Sequence, residues 1–355
     1  MVAGLSDEPT FPRAPSSDQK LFNNLFSTAF LAAKNRRMSR VTDNINSFNN
    51  VWNSFTVTES DDESKIMAWL SPLEPRVRHQ DICNQRVESI GDWLLETKEF
   101  INWYNESDHA ALFCYGGPGV GKSYIRYERL LVRDKRRTLL LTGYDNSSMV
   151  VDYLCDQATG QDMAVTCFYY DFASREAQSP TNMLGSLLKQ LVSGLEAIPG
   201  EIKQKFQDQK KVIGGRRLQL PDIVKMFAAI APPRRTFICV DALDECIPKH
   251  RLEVLEALGQ ILQRSPNTRM FVTGRSHIRE AVERELAGRV ISVSIRPRDD
   301  DIVTFLHARL RKDTTPEVMD DRLKKDIMKS IPDEASETYV VVRGPGNLCK
   351  SYTDR

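Results

Sequence analysis

The chain has no long apolar run, no excess of charge of one sign and no paired-cysteine motif. Each absence removes a class of function. No stretch approaches the roughly 18 consecutive apolar residues needed to cross a bilayer, so no membrane span is expected. Lys and Arg number 49 against 48 Asp and Glu, a formal charge of +1 over 355 residues. That balance gives no electrostatic drive toward nucleic acid or an anionic membrane. The seven cysteines, Cys83, Cys114, Cys155, Cys167, Cys239, Cys246 and Cys349, stand singly, without CxxC spacing. In a chain this long they point to a reducing compartment, and a cytoplasmic location is expected. His79, His109, His250, His277 and His307 read as isolated, none with a Cys or second His at metal spacing, and structural or surface roles are expected of them. No Ser/His/Asp or Cys/His arrangement is suggested locally, and no repeat of 20–50 residues occurs. The opening residues lack the basic and apolar regions of a signal peptide, and Val2 stands where myristoylation needs Gly.

What is present is enough apolar sequence, 41%, to build a core of about two domains. Residues 1–64 read as a flexible and helical arm, with Pro9, Pro12 and Pro15 near the start and an apolar helical face over Leu21–Ala33. The acidic run Glu59–Ser64 reads as a linker. Residues 65–109 form a helical lead-in, through Ile66, Trp69 and Leu70 and then Val87, Ile90, Trp93, Leu94 and Phe100. Over 110–295 short apolar runs alternate with amphipathic helices. The runs are Ala111–Tyr115, Ala164–Phe172, Thr236–Val240, Arg269–Thr273 and Val290–Ile295. The helices include Met183–Leu195, opened by Ser179-Pro180, and Leu252–Leu262. This alternation implies an α/β fold with a mostly parallel sheet flanked by helices. Residues 296–355 read as a helical segment.

The strongest motif is Gly116-Gly117-Pro118-Gly119-Val120-Gly121-Lys122-Ser123, a complete GxxxxGK[ST] directly after the first apolar run. A chance match in a chain of this length has odds on the order of 1 in 100. Glycines let backbone N–H groups converge on a phosphate, and the following helix N-terminus adds partial positive charge. Lys122 suits the β- and γ-phosphates, and Ser123 suits Mg²⁺. The second signal is the strand ending in Asp241, followed by Ala242-Leu243-Asp244-Glu245. Asp241 is the expected Mg²⁺-linked carboxylate, and one of Asp244 and Glu245 the group that orients attacking water. Thr273 and Arg275, at the end of the next strand, could sense the γ-phosphate; an ordinary strand end is the alternative. The basic cluster Arg133–Arg137 reads as a solvated loop.

Together, Gly116–Ser123, Phe237–Glu245 and Thr273-Gly274-Arg275 resemble the NACHT-type STAND P-loop NTPases. The likeness is strongest to the NLR-like proteins of filamentous fungi, with nephrocystin-type N-terminal NTPase modules. Trp69–Pro75 and Ser179–Leu184 are also similar to segments of that group, as is the small Ala242 after the aspartate. The resemblance runs from about Ile66 to Ile331. It implies an ATP/ADP switch in which ADP holds a closed state and ATP exchange licenses self-association through the NTPase module. Self/non-self recognition or programmed cell death would be the output. Group members carry C-terminal sensor repeats and a winged-helix region, so this chain is expected to be truncated. The alternatives are an ATPase that turns over to do remodelling work, which would need an arginine finger, and an inactive truncated fragment.

One segment does not fit the P-loop pattern. Tyr127–Ser147 interposes a basic cluster, an apolar stretch and a Gly143 turn where the helix after Lys122 should continue. Joining Arg126 to Ser148 restores one helical register through Ile125, Met149, Val150 and Leu154. The codons permit a splice: a G followed by TAT-GAG gives a donor, CTA-AC at Leu141-Thr142 a branch point, and the Ser147 codon an acceptor AG. The piece, 21 codons of 3 nucleotides each, is in frame. Residues 127–147 are therefore expected to be a retained intron, poorly packed if translated; a tolerated surface insertion is the alternative.

Overall fold

The computed structural model describes residues 61–116 and 146–312, apart from 85, 88, 106–108, 212–217, 287 and 297, together with 138–140, 341–343 and three residues at 325, 328 and 329. All of them lie within the unit Val51–Arg355. Of the expected arm over 1–64, residues 1–60, with the expected Leu21–Ala33 helix, fall outside the described residues.

Five strands form the central sheet: β1 (Ala111–Tyr115), β3 (Met163–Tyr169), β4 (Arg235–Asp241), β5 (Thr268–Gly274) and β6 (Val290–Ser294). Their spatial order is β3-β4-β5-β1-β6, and every adjacent pair is parallel. All five thus end on one edge, where ligands of open α/β sheets bind. The strand nearest the glycine-rich motif lies between β5 and β6, with Tyr115 in register with Gly274 and Ser294. β1 and β5 are buried along almost their whole length, which is why β1 reads in sequence as an apolar run and β5 has Met270–Val272 at its centre. A separate antiparallel pair joins β2 (Thr138–Leu140) to β7 (Val341–Arg343).

Ten α-helices are described: α1 (Asp61–Leu70), α2 (Pro75–Cys83), α3 (Lys98–Asn105), α4 (Asn146–Ala158), α5 (Pro180–Ser193), α6 (Gly200–Lys210), α7 (Leu220–Ile230), α8 (Pro248–Arg264), α9 (Arg279–Glu285) and α10 (Asp299–Lys312). α5 starts as its sequence dictates: Ser179 Oγ accepts from the Asn182 N–H at 3.3 Å, and Pro180 occupies the first turn. The expected linker at Glu59–Ser64 is corrected in part, since Asp61–Ser64 form the first turn of α1. Acidic residues there complement the helix dipole. The expected helix through Val87–Phe100 is broken: Ser89 and Gly91 adopt left-handed φ values of 66° and 83°, a 3₁₀ turn covers Asp92–Glu96, and α3 starts afresh.

Two layers of core flank the sheet. On one side Trp103 stands edge-on to Phe237, ring centroids 5.7 Å apart, beside Phe271. On the other, α5, α7 and α8 bury Leu184, Leu187, Phe227, Leu255 and Leu258 against β3, β4 and β5. Each such side chain contributes about 1.5–3 kcal/mol of burial. α5 also passes so near the end of α1 that a Cβ on Gly185 would lie 2.2 Å from the Leu70 carbonyl oxygen.

Candidate functional site

β4 ends in Asp241, only 3% exposed at the sheet's C-terminal edge. Its neighbour Ala242 takes a left-handed φ of 51°, rare for a residue with a Cβ. That turn drops the chain into a 3₁₀ segment, Leu243–Glu245, and presents two more acids on the same edge. Such a conformation costs on the order of 1–3 kcal/mol and persists only where surroundings enforce it. Here a hydroxyl from the next strand does so. Thr273 Oγ1 donates to Asp241 Oδ1 at 2.6 Å and accepts from the Ala242 N–H at 2.9 Å. Ser147, in the first turn of α4, also donates its hydroxyl to Asp241 Oδ1.

This places Thr273 differently from the phosphate sensor suggested by sequence. It is fully buried, and its one proton goes to Asp241, so it holds the carboxylate and the turn after it. Asp244 is committed as well. Its Oδ1 accepts from the Arg275 N–H at 3.1 Å, and its Oδ2 pairs with Arg275 Nε at 3.0 Å. The carboxylate is 7% exposed while the Arg275 side chain is 43% exposed. Glu245 is the less constrained acid: its Oε2 accepts from the Phe172 N–H at 3.0 Å. Burial pushes its carboxyl up to about 6; the nearby Asp244 and Asp171 charges add to that, against the Phe172 N–H and Arg275.

β1 delivers the chain to the same edge. The Gly116 N–H donates to the Gly274 carbonyl at 3.4 Å, so the first glycine of the motif sits beside the end of β5. Gly274 is closely packed: a Cβ there would lie 2.6 Å from Ile278 Cδ1 and 3.3 Å from the Phe113 ring, so the end of the Ile278 side chain would have to move. Arg279 braces this corner, its guanidinium 4.9 Å from the Tyr115 ring centroid and donating to its hydroxyl at 2.9 Å. Gly117, Pro118, Gly119, Val120, Gly121, Lys122 and Ser123 lie outside the described residues. Of the expected insertion 127–147, the described members are Thr138–Leu140, Asn146 and Ser147. Poor packing does not hold at Ser147, which is 2% exposed and bonded to Asp241.

The histidine reading needs correction. His79 and Cys83 lie four residues apart on α2, hence on one helix face. Both meet Asp152 of α4, with His79 Nε2 3.1 Å from Oδ1 and Cys83 Sγ 3.8 Å from Oδ2. The i,i+4 spacing was the readable signal; the carboxylate comes from far along the chain.

The family model described as "Nephrocystin 3, N-terminal" matches residues 89–128 and 145–275, leaving 129–144 outside both blocks. The matched residues make up a little under half of the chain. No curated protein matches it. Among solved structures, the Walker-type ATPase paby2304 of Pyrococcus abyssi is 15% identical, TM-score 0.38, with 70% of this chain and 66% of that one covered. The Aeropyrum pernix ORC1 protein, solved in complex with DNA, is 12% identical, TM-score 0.41, with 77% and 59% covered. Drosophila ORC bound to DNA is 13% identical, TM-score 0.37, with 70% and 55% covered. The match thus spans less than two thirds of each of those chains. No described helix is long and apolar enough to cross a membrane. The parallel sheet with the glycine-rich motif leaving its fourth strand, β1, and a buried aspartate ending β4 make this a P-loop NTPase-type fold.

Proposed function

We propose that the chain is an ATP- and ADP-binding switch of the NACHT type, with slow hydrolysis and a cytoplasmic signalling role. The observation carrying this reading is the buried Asp241 carboxylate, held by Thr273 on the edge where β1 runs into Gly116–Ser123. The residues fit a nucleotide with Mg²⁺. Lys122 and the backbone amides of Gly116–Gly121 would hold the phosphates. Asp241 and Ser123 would hold the ion, directly or through water. When bound, Mg²⁺ neutralises charge shared by the β- and γ-phosphate oxygens. The acids divide their work. Asp244, paired to Arg275, fixes the loop after β4. Glu245, with its carboxyl raised to about 6, is suited to orient water and accept its proton near neutral pH.

The switch reading includes self-association through the NTPase module in the ATP-bound form, with ADP favouring the closed state. Sedimentation of the purified chain with ADP and with a non-hydrolysable ATP analogue tests it. Association that grows only with the triphosphate supports the switch. Fast steady-state turnover with no change in association would favour a remodelling ATPase, and no response to either nucleotide would end the reading.

A further inference from the structure

Away from the sheet edge, α2 and α4 bring together a buried histidine, a thiol and a carboxylate for which the nucleotide reading has no use. His79 Nδ1 lies 2.6 Å from the Tyr169 hydroxyl, which occupies that nitrogen. The other ring nitrogen, Nε2, faces two groups at once: Asp152 Oδ1 at 3.1 Å and Cys83 Sγ at 3.4 Å. A proton on Nε2 can point at only one of them. A cation placed among the three satisfies all of them together.

The spacings suit such an ion. A tetrahedral metal with bonds of about 2.0 Å to nitrogen and oxygen and about 2.3 Å to sulfur separates its ligand atoms by about 3.3–3.6 Å, with sulfur edges longest. Here the nitrogen–oxygen edge is 3.1 Å and the sulfur–nitrogen edge 3.4 Å, while the sulfur–oxygen edge to the same Oδ1 is 4.0 Å and would have to shorten a little around the ion. All three groups fall within 4.8 Å of one another. We propose that His79, Cys83 and Asp152 form a Zn²⁺ site, with water or another small ligand in the fourth position.

The surroundings support that assignment. Two ligands four residues apart on one helix is an economical way to fix part of a metal's shell. With an ion on Nε2, Nδ1 would carry the proton and donate it to the Tyr169 hydroxyl at 2.6 Å, the outer-shell role usual for metal-bound histidine. Arg86 sits 2.7 Å from Asp152 Oδ2, which leaves Oδ1 to face His79 and makes the carboxylate a one-oxygen ligand. Its positive charge works against a divalent ion, and the Cys83 thiolate and Asp152 together offset it. The histidine side chain is 2% exposed and the Asp152 side chain 24%, so the site is anchored inside and reachable from solvent. Once occupied, it would tie the helical lead-in to α4, the helix whose first turn places Ser147 on Asp241. This proposal stands independently of the nucleotide reading.

The test is a Co²⁺ titration of the full chain after chelation, with zinc content measured on the protein as purified. Cobalt bound through sulfur shows a thiolate-to-metal charge-transfer band and intense tetrahedral d–d bands, which an oxygen-only Mg²⁺ site does not give. The wild type should bind one equivalent with that band, and Zn²⁺ should displace it. Cys83→Ser, a conservative change at a half-buried helix position, should lose the band. Tyr169→Phe should keep it and weaken affinity by about 10–100-fold. A folded wild type without the band, or a band that survives Cys83→Ser, would overturn the site and leave a hydrogen-bonded cluster.

Discussion

Replacing Thr273 by Val removes one hydroxyl while keeping the side chain's shape, and the structure assigns that hydroxyl two bonds. It donates to Asp241 Oδ1 at 2.6 Å and accepts from the Ala242 N–H at 2.9 Å, both in a fully buried position. Losing a hydrogen bond to a charged group costs about 1.5–3 kcal/mol, and stranding a buried backbone donor about 1–3 kcal/mol. The two losses share one atom and one relaxation, so the expected destabilisation is about 3–4 kcal/mol rather than their full sum. Ala242 adds a reason to expect the upper part of that range, because its left-handed φ of 51° has this bond as a restraint. Thr273→Ser keeps both bonds and loses a methyl group, for about 1 kcal/mol. Urea unfolding of the three proteins measures this through the shift in midpoint at constant slope. Thr273→Val as stable as Thr273→Ser would refute the claim that this hydroxyl holds the site together.

Gly185→Ala should destabilise the chain by on the order of 2 kcal/mol, since the new Cβ would meet the Leu70 carbonyl at 2.2 Å and overpacking outweighs the gain in helix propensity. A thermal melt at or above wild type would contradict the close approach of α5 to α1. Glu245 predicts a pH dependence: its ordinary value is 4.5 and its folded value about 6, so the folded chain keeps a proton that the unfolded chain has released. Stability should therefore fall as pH rises from about 4.5 to 6, by up to about 2 kcal/mol, and Glu245→Gln should flatten that slope. An unchanged slope in the variant would place the effect elsewhere. Reverse transcription and sequencing across codons 127–147 tests the intron reading against a tolerated insertion, either of which would leave the gap at 129–144 in the family match. Mature messages that uniformly keep those codons would defeat it.

The sheet was legible because a parallel strand buried on both faces has to be apolar almost throughout. Ala111–Tyr115 was read with the bounds the strand has, and Arg269–Thr273 falls one residue short of the strand at each end. Asp241 was legible for the same reason, as the first charge after such a run. Partnerships between strands were not. The hydroxyl of Thr273 reaches Asp241 across 32 residues of sequence, and Arg275 reaches Asp244 across 31, so only the β4–β5 adjacency reveals them. The same limit hid the His79 cluster: Cys83 is near in sequence, while Asp152 and Tyr169 lie 73 and 90 residues away. The break at Ser89–Gly91 escaped the helical pattern because apolar spacing continues through it while the backbone reverses sign.

The central claim is that Gly116–Ser123 and Asp241 make a nucleotide site, and direct binding tests it most plainly. Fluorescence anisotropy of a labelled, non-hydrolysable ATP analogue would be followed as the purified chain is titrated in, with and without Mg²⁺. Saturable, Mg²⁺-strengthened binding by the wild type and its loss in Lys122→Ala are the predicted results. Equal affinity of the two proteins for the analogue, or no binding by a folded wild type, would contradict the account.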